Sequence, residues 1–350
     1  NLGELEFKEL SKKSKSSKGK SKINKYPNSE RLVSSMLCMA VGDSLGFLVE
    51  GLPKNMCCEY IKNVINTKSH SDYGINEGFG HDGNSRYALF SNKTVYKYGQ
   101  YTDDTQCARE ILLSIADCYG TFFAENYGNR IVSLFQKSGL VEDNRNISYP
   151  PYIHSGIVGY GTTTLHAATN IANNVPVELA GDVNGKGNGG CMRSGILGPL
   201  YQNYPEMLVD VVQKQCQVTH PNPVCVATSV MIAEAARISC QNYSYEKYNI
   251  YQYPNVFCQR LSETVKRIDT RLADIIIQIP SILKSSNDNV FKFCVQTGKD
   301  FGENLWQNGE SISPGAVQSS LYSLCCFLKH PFSVLDAFRM AISCGGDVDT

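Results

Sequence analysis

The chain has no run approaching the ~18 consecutive apolar residues that a membrane span requires. Its first residues, NLGELEFKEL, carry charges but no apolar stretch of the kind that forms the centre of a secretory leader. Net charge is also absent, because Lys+Arg and Asp+Glu each total 33, so bulk electrostatics names no partner. There is no C-x-x-C, and the adjacent pairs Cys57–Cys58 and Cys325–Cys326 lack zinc-knuckle spacing. The fourteen cysteines are scattered, several inside helical patterns (Cys38, Cys107, Cys118). They are expected to be reduced core thiols of an intracellular, cytoplasmic protein with no membrane contact. Strand-like alternation is short and rare, with no hairpin series, no βαβ rhythm and no internal repeat.

Helical periodicity fills that space. With 350 residues, 42% of them hydrophobic, the chain can bury a large core. From Pro27 onward, Leu32, Met36, Met39 and Ala40 share one face, and Cys107, Ala108, Ile111, Leu112 and Ile115 repeat the pattern after Thr102. The segments 204–220, 223–239, 263–279 and 330–346 follow the same logic. The expectation is one large all-α domain over residues 27–350. Residues 8–25 hold eight lysines with little apolar side chain and are expected to form a disordered tail over residues 1–26. A nucleic-acid or nuclear-import role for that tail is the weaker reading, since it lacks arginine and aromatics.

Chemistry concentrates in two short boxes far apart. GQYTDDTQ puts Thr102, Asp103, Asp104 and Thr105 at a helix start, where capping alone could explain them. CGGDVDT places Asp347, Asp349 and Thr350 beyond a helix end, with Gly345 as the expected stop. In an extended segment residues two apart project the same way, so both carboxylates can face one point. Paired carboxylates with hydroxyls beside them are hard-oxygen donors suited to Mg²⁺ or Mn²⁺. Asp43 falls on the apolar face of the first helix, and Glu50 lies near its end, where a carboxylate opposes the helix dipole. The loops GYGTTT (159–164) and NGKGNGG (184–190) offer unhindered N–H groups of the kind that cradle phosphate.

Five stretches in order, GDSLGFLVE, GQYTDDTQ, VGYGTTT, GKGNGGCMR and GGDVDT, resemble the ADP-ribosylglycohydrolases related to the dinitrogenase-reductase-activating glycohydrolase. The resemblance runs from about Glu30 to Thr350. It implies an all-α fold with two Mg²⁺ or Mn²⁺ ions, hydrolysing the bond between ADP-ribose and a protein side chain or small acceptor. By position it implies metal ligands at Thr102, Asp103, Asp104, Asp347, Asp349 and Thr350. Glu50, Asp103 and Asp349 are the implied catalytic residues, with Glu50 the candidate for acid–base work. Substrate contacts are implied at Gly159, Gly161, Thr162, Asn188, Gly189, Gly190 and Met192. His220 is implied near the nucleotide, although a satisfied helix-end histidine reads equally from the residues.

Two departures from the family shape the expectations. Val348 stands where the family usually has threonine, and its side chain is expected to point away from the metals. The sequence stops at Thr350, whereas the family continues through a further helix rich in small residues. Asp347 and Asp349 are therefore expected on a frayed segment, and the second cation to bind poorly. Two other functions stay open on sequence. One is a non-catalytic ADP-ribose-binding member of the same fold. The other is a binuclear nucleotide phosphohydrolase, which would need Lys186 or Arg193 as its phosphoryl clamp.

Overall fold

A computed structural model of the chain describes residues 29–65, 99–143, 145, 156–241 and 253–350; the lysine-rich tail lies outside them. Among the described residues the protein is all-α, with no sheet and only isolated bridges. Helices α1 (Ser29–Phe47), α2 (Lys54–Tyr60), α3 (Asp103–Asp117) and α4 (Ala124–Lys137) come first. Next are α5 (Thr162–Ala172), α6 (Leu197–Leu200), α7 (Pro205–Gln217) and α8 (Pro223–Ser239). The chain closes with α9 (Tyr253–Val265), α10 (Thr270–Ile282), α11 (Asn287–Asp300), α12 (Ala316–Lys329) and α13 (Val334–Ile342). None of these helices is long and apolar enough to cross a membrane. All fourteen cysteines are free thiols.

Helix α8 organises the interior. Ala227, Met231, Ala235 and Ile238 recur at helical spacing and enter one apolar cluster with α9 to α13. Val230 and Ala233 face the other way, into a second cluster built from α3, α4, α5 and α7. A helix apolar on opposite faces must be buried between two layers. Its polar pair, Glu234 and Arg237, is matched internally by bonds of 2.6 and 2.7 Å. The two carboxylate boxes fall on opposite sides of this division. Cys107 and Ala108 root α3 in the second cluster, and Cys344 and Val348 root the last residues in the first. Val348 thus points into the core, away from its flanking aspartates, as expected.

Residues 263–279 are not one helix. Asp269 adopts an extended conformation and accepts the Leu272 N–H at 2.8 Å, ending α9 and capping α10. A short polar side chain competed with helix continuation and won. Two other helix starts are capped from elsewhere in the chain. The Glu303 carboxylate accepts the Val317 and Gln318 N–H groups at 2.6 and 3.0 Å at the start of α12. The start of α3 has an equivalent donor–acceptor arrangement, described below.

Gly46 lets α1 and the final segment approach. A Cβ there would lie 2.2 Å from the Val348 carbonyl oxygen and 2.4 Å from the Asp349 Cα. Gly161, in contrast, has nothing within 4 Å of a Cβ and no positive φ. Gly46→Ala gains about 1 kcal/mol of helix propensity, but the backbone clash, an overpacking of about 1–3 kcal/mol or more, opposes it. Urea unfolding should show Gly46→Ala clearly destabilised and Gly161→Ala within about 0.5 kcal/mol of the parent.

Candidate active site

The start of α3 is held by α1. Thr102 is its N-cap residue, yet the Thr102 side chain makes no capping bond. Asp43, buried on α1, takes over. Its carboxylate accepts the Thr102 N–H at 2.9 Å and the Thr105 N–H at 3.1 Å. It also accepts the hydroxyls of Thr102 at 2.9 Å and Thr105 at 2.6 Å. The N–H of the third helical residue is the usual target of a capping side chain. With that need met from α1, Asp103 and Asp104 are released from capping. Asp43 was legible in the sequence as a carboxylate on an apolar face; its partner, 59 residues away, was not.

The far box is equally fixed. Gly345 and Gly346 both have positive φ, 70° and 89°, which turns the chain back after α13. Gly346 N donates to the Leu52 carbonyl at 3.0 Å, and its own carbonyl accepts from Gly51 N at 2.8 Å. Asp347 N donates to the Ile312 carbonyl at 3.0 Å, and Asn188 Nδ2 donates to Asp347 Oδ2 at 2.5 Å. These bonds correct the expectation of a frayed segment: partners from three distant stretches hold it. They also pin the turn carrying Glu50, through Gly51 and Leu52.

The two boxes meet. Glu50, Asp347 and Asp349 each present a ligand atom within 4.8 Å of the other two. Asp103 and Asp104 face this trio closely enough for their charges to couple with it, and the Thr350 hydroxyl bonds to Asp104. Burial pushes the Asp103 carboxyl up to about 8, with Asp43, Glu50 and Asp347 adding repulsion. Burial likewise raises Asp104 and Asp349 well above the usual carboxylate range, helped by their acidic neighbours. Asp349 Oδ1 is buried with no hydrogen-bond partner among the described residues. A buried oxygen without a donor, in a nest of repelling carboxylates, is the environment a hard divalent cation relieves. The residues therefore fit such ions. Thr102 is wholly buried, with its hydroxyl turned to Asp43.

One of the glycine loops touches the acidic nest, through the bond from Asn188 to Asp347. Gly159 has φ +67°, and Gly161 is the N-cap of α5, whose first residue, Thr162, is exposed. Thr162 lines a cleft of about 450 Å³ with Lys186, Gly187, Asn304, Trp306, Ser313 and others. Asn188, Gly189 and Gly190 form a tight turn at its inner edge, and Asn188 joins that turn to Asp347. Met192 packs half-buried against the second core cluster. His220 lies under the loop. Its ring is buried beneath the loop, where a Cβ on Gly189 would lie 2.5 Å from Cε1, so it supports the loop from below. Lys186 and Arg193 are both occupied: the Lys186 ammonium donates to the Phe301 and Gly302 carbonyls at 3.1 and 3.0 Å. Arg193 is fully buried against Gln215 and Thr219.

The chain is all-helical among the described residues, and it gathers two distant carboxylate boxes, one of them bonded through Asn188 to a glycine-rich loop. The sequence profile of the ADP-ribosylglycohydrolase family matches residues 24–350, and the chain belongs to that family. Among solved structures, one described as an ADP-ribosylglycohydrolase-related protein complex superimposes with a TM-score of 0.56 at 20% identity, covering 93% of this chain and 84% of that one. At that identity the likeness is one of fold. A comparison with curated protein sequences found no match.

Two outcomes follow from the geometry. Asp43→Ala leaves the Thr102 and Thr105 N–H groups buried without an acceptor, at about 1–3 kcal/mol each. Chemical denaturation should register a loss of that order, with divalent-cation affinity falling in parallel. The second outcome concerns pH. Because the folded pKa values of Asp103, Asp104 and Asp349 lie above the unfolded ones, the folded state holds extra protons. That contribution is complete below the unfolded carboxylate range and is lost as pH rises toward about 8. In chelator, the thermal midpoint should fall between pH 5 and pH 9; saturating Mg²⁺ or Mn²⁺ should flatten the trend as cations replace protons.

Proposed function

We propose that the protein is a divalent-metal-dependent hydrolase that releases ADP-ribose from an ADP-ribosylated protein or a small ADP-ribose conjugate. The observation that carries this reading is the convergence of Glu50, Asp347 and Asp349 within 4.8 Å, with Asp103 and Asp104 facing them. Asp103, Asp104, Asp347 and Asp349, with Thr102 and Thr350 beside them, would hold two Mg²⁺ or Mn²⁺ ions. Such ions, when bound, neutralise clustered carboxylates and acidify a water toward neutral pH.

The residues of the chain then have separable tasks. Glu50 lies outside both boxes but inside the trio, so it can hold or move a proton at its carboxylate while the aspartates remain engaged. The loops at 159–162 and 188–190 suit a diphosphate, because glycine permits close backbone approach. The cleft beyond them, with Thr162, Asn304 and Trp306 on its walls, suits the remainder of the nucleotide. Binding energy gathered there positions the reacting sugar carbon, which needs no contact with the nucleotide end. A phosphohydrolase reading is disfavoured by the engagement of Lys186 and Arg193 with protein oxygens. A purely binding role is disfavoured by the number of repelling carboxylates retained at one point.

The test is incubation with differently linked ADP-ribosylated proteins in Mg²⁺, Mn²⁺ or chelator, followed by mass spectrometry. Free ADP-ribose should appear only with metal; inorganic phosphate in its place would overturn the reading. Trp306 is the sole tryptophan of the chain and lines the cleft, so ADP-ribose binding should change the intrinsic fluorescence. Glu50→Gln should lower turnover by about 10²–10⁴-fold and leave that fluorescence titration unchanged. Lost binding with unchanged turnover would remove Glu50 from the acid–base role.

A further inference from the structure

Arg193 is a fully buried guanidinium that takes no carboxylate partner among the described residues. Its Nε donates to Gln215 Oε1 at 2.7 Å, and its Nη2 donates to the Gln215 carbonyl at 3.0 Å and to Thr219 Oγ1 at 2.7 Å. Its Cζ sits 5.4 Å from the centroid of the Tyr127 ring. Asp103 is among the charges that act on it at longer range, so the acidic nest favours the buried cation.

A guanidinium can only donate, and that one-way character propagates. With Gln215 Oε1 accepting from Arg193, the amide nitrogen must face the other way, donating to Ser194 Oγ at 2.8 Å and toward the Gly190 carbonyl at 3.1 Å. Ser194 Oγ then donates to the same Gly190 carbonyl at 2.7 Å. On the second branch, Thr219 Oγ1 accepts from Arg193, which leaves its single proton for His220 Nδ1 at 2.7 Å. Among the described residues that hydroxyl has no other acceptor, so a proton on Nδ1 would strand it in the interior. His220 must then carry its proton on Nε2, the nitrogen nearest a Cβ built on Gly187 and 3.0 Å from one on Gly189. Burial and Arg193 hold the ring neutral, its pKa lowered to about 3.

We propose that Arg193 is a positioning residue that imposes hydrogen-bond direction on two relays, Gln215–Ser194–Gly190 and Thr219–His220, and thereby fixes the glycine loop at 187–190 for its ligand. The identity of that ligand as an ADP-ribose conjugate rests on the function proposed above. Arg193 touches neither substrate nor metal in this arrangement; it acts through the loop.

The tautomer is the direct readout. Long-range ¹H–¹⁵N spectra of the folded protein, labelled at histidine and assigned with His220→Gln, should show His220 protonated at Nε2. Thr219→Val removes one relay and leaves the other, and should admit the Nδ1–H form. Arg193→Lys keeps the charge but loses the fork, and should raise KM for the ADP-ribosylated substrate about tenfold, the effect of one lost hydrogen bond, with kcat nearly unchanged because the loop binds a part of the ligand remote from the reaction. Damage to the fold in general would lower kcat and the thermal midpoint together. An Nδ1–H tautomer in the parent protein would overturn the proposal, as would an unchanged tautomer in Thr219→Val. If the parent protein neither binds nor hydrolyses ADP-ribose conjugates, the functional reading falls, and the tautomers alone decide the relay.

Discussion

Like charge crowded out of water is the constraint on which the structure turns. Asp43, Glu50, Asp103, Asp104, Asp347 and Asp349 approach one another where solvent screens them little. Desolvation and mutual repulsion both disfavour that arrangement, so the surrounding protein must hold it by other means. Each box is rooted in a separate apolar cluster, and the clusters share α8. Neither box can retreat without disrupting a core.

Within that frame the carboxylates divide by the bonds they receive. Asp43 accepts five short contacts from the start of α3, and these bonds oppose the effect of its burial. Asp349 has a buried oxygen that receives none among the described residues. The first is a structural acceptor satisfied by protein; the second is unsatisfied by it. The same division separates the cations near the site. Arg193 and Lys186 donate to the backbone and neutral side chains around the glycine loop, and neither forms an ion pair with the acidic nest among the described residues.

Residue type and local period carried much of this into the sequence. The helices at 29–47, 103–117, 205–217 and 223–239 were legible because one-sided apolar repeats and flanking glycine or proline are local signals. The boxes were legible because paired aspartates beside threonine have few purely structural uses twice over. What stayed hidden depended on partners far along the chain. Nothing near Asp347 announces that Ile312 and Asn188 will hold it, so a fixed segment read as a loose one. His220 carried no local mark of being placed under the loop rather than beside it. The break at Asp269 was a different kind of omission: its capping signal was present, and the apolar period on either side obscured it.

The bond from Asn188 to Asp347 spans 159 residues, and that from Asp43 to Thr102 spans 59. Closing the longer loop costs only about 1 kcal/mol more in chain entropy, but in kinetic terms the consequence is larger. Contacts so distant form late, after local helices and the apolar layers have organised. The acidic nest can therefore assemble only when these distant segments dock. On the function proposed above, cation uptake would then report the docking of these distant segments rather than the formation of any single helix.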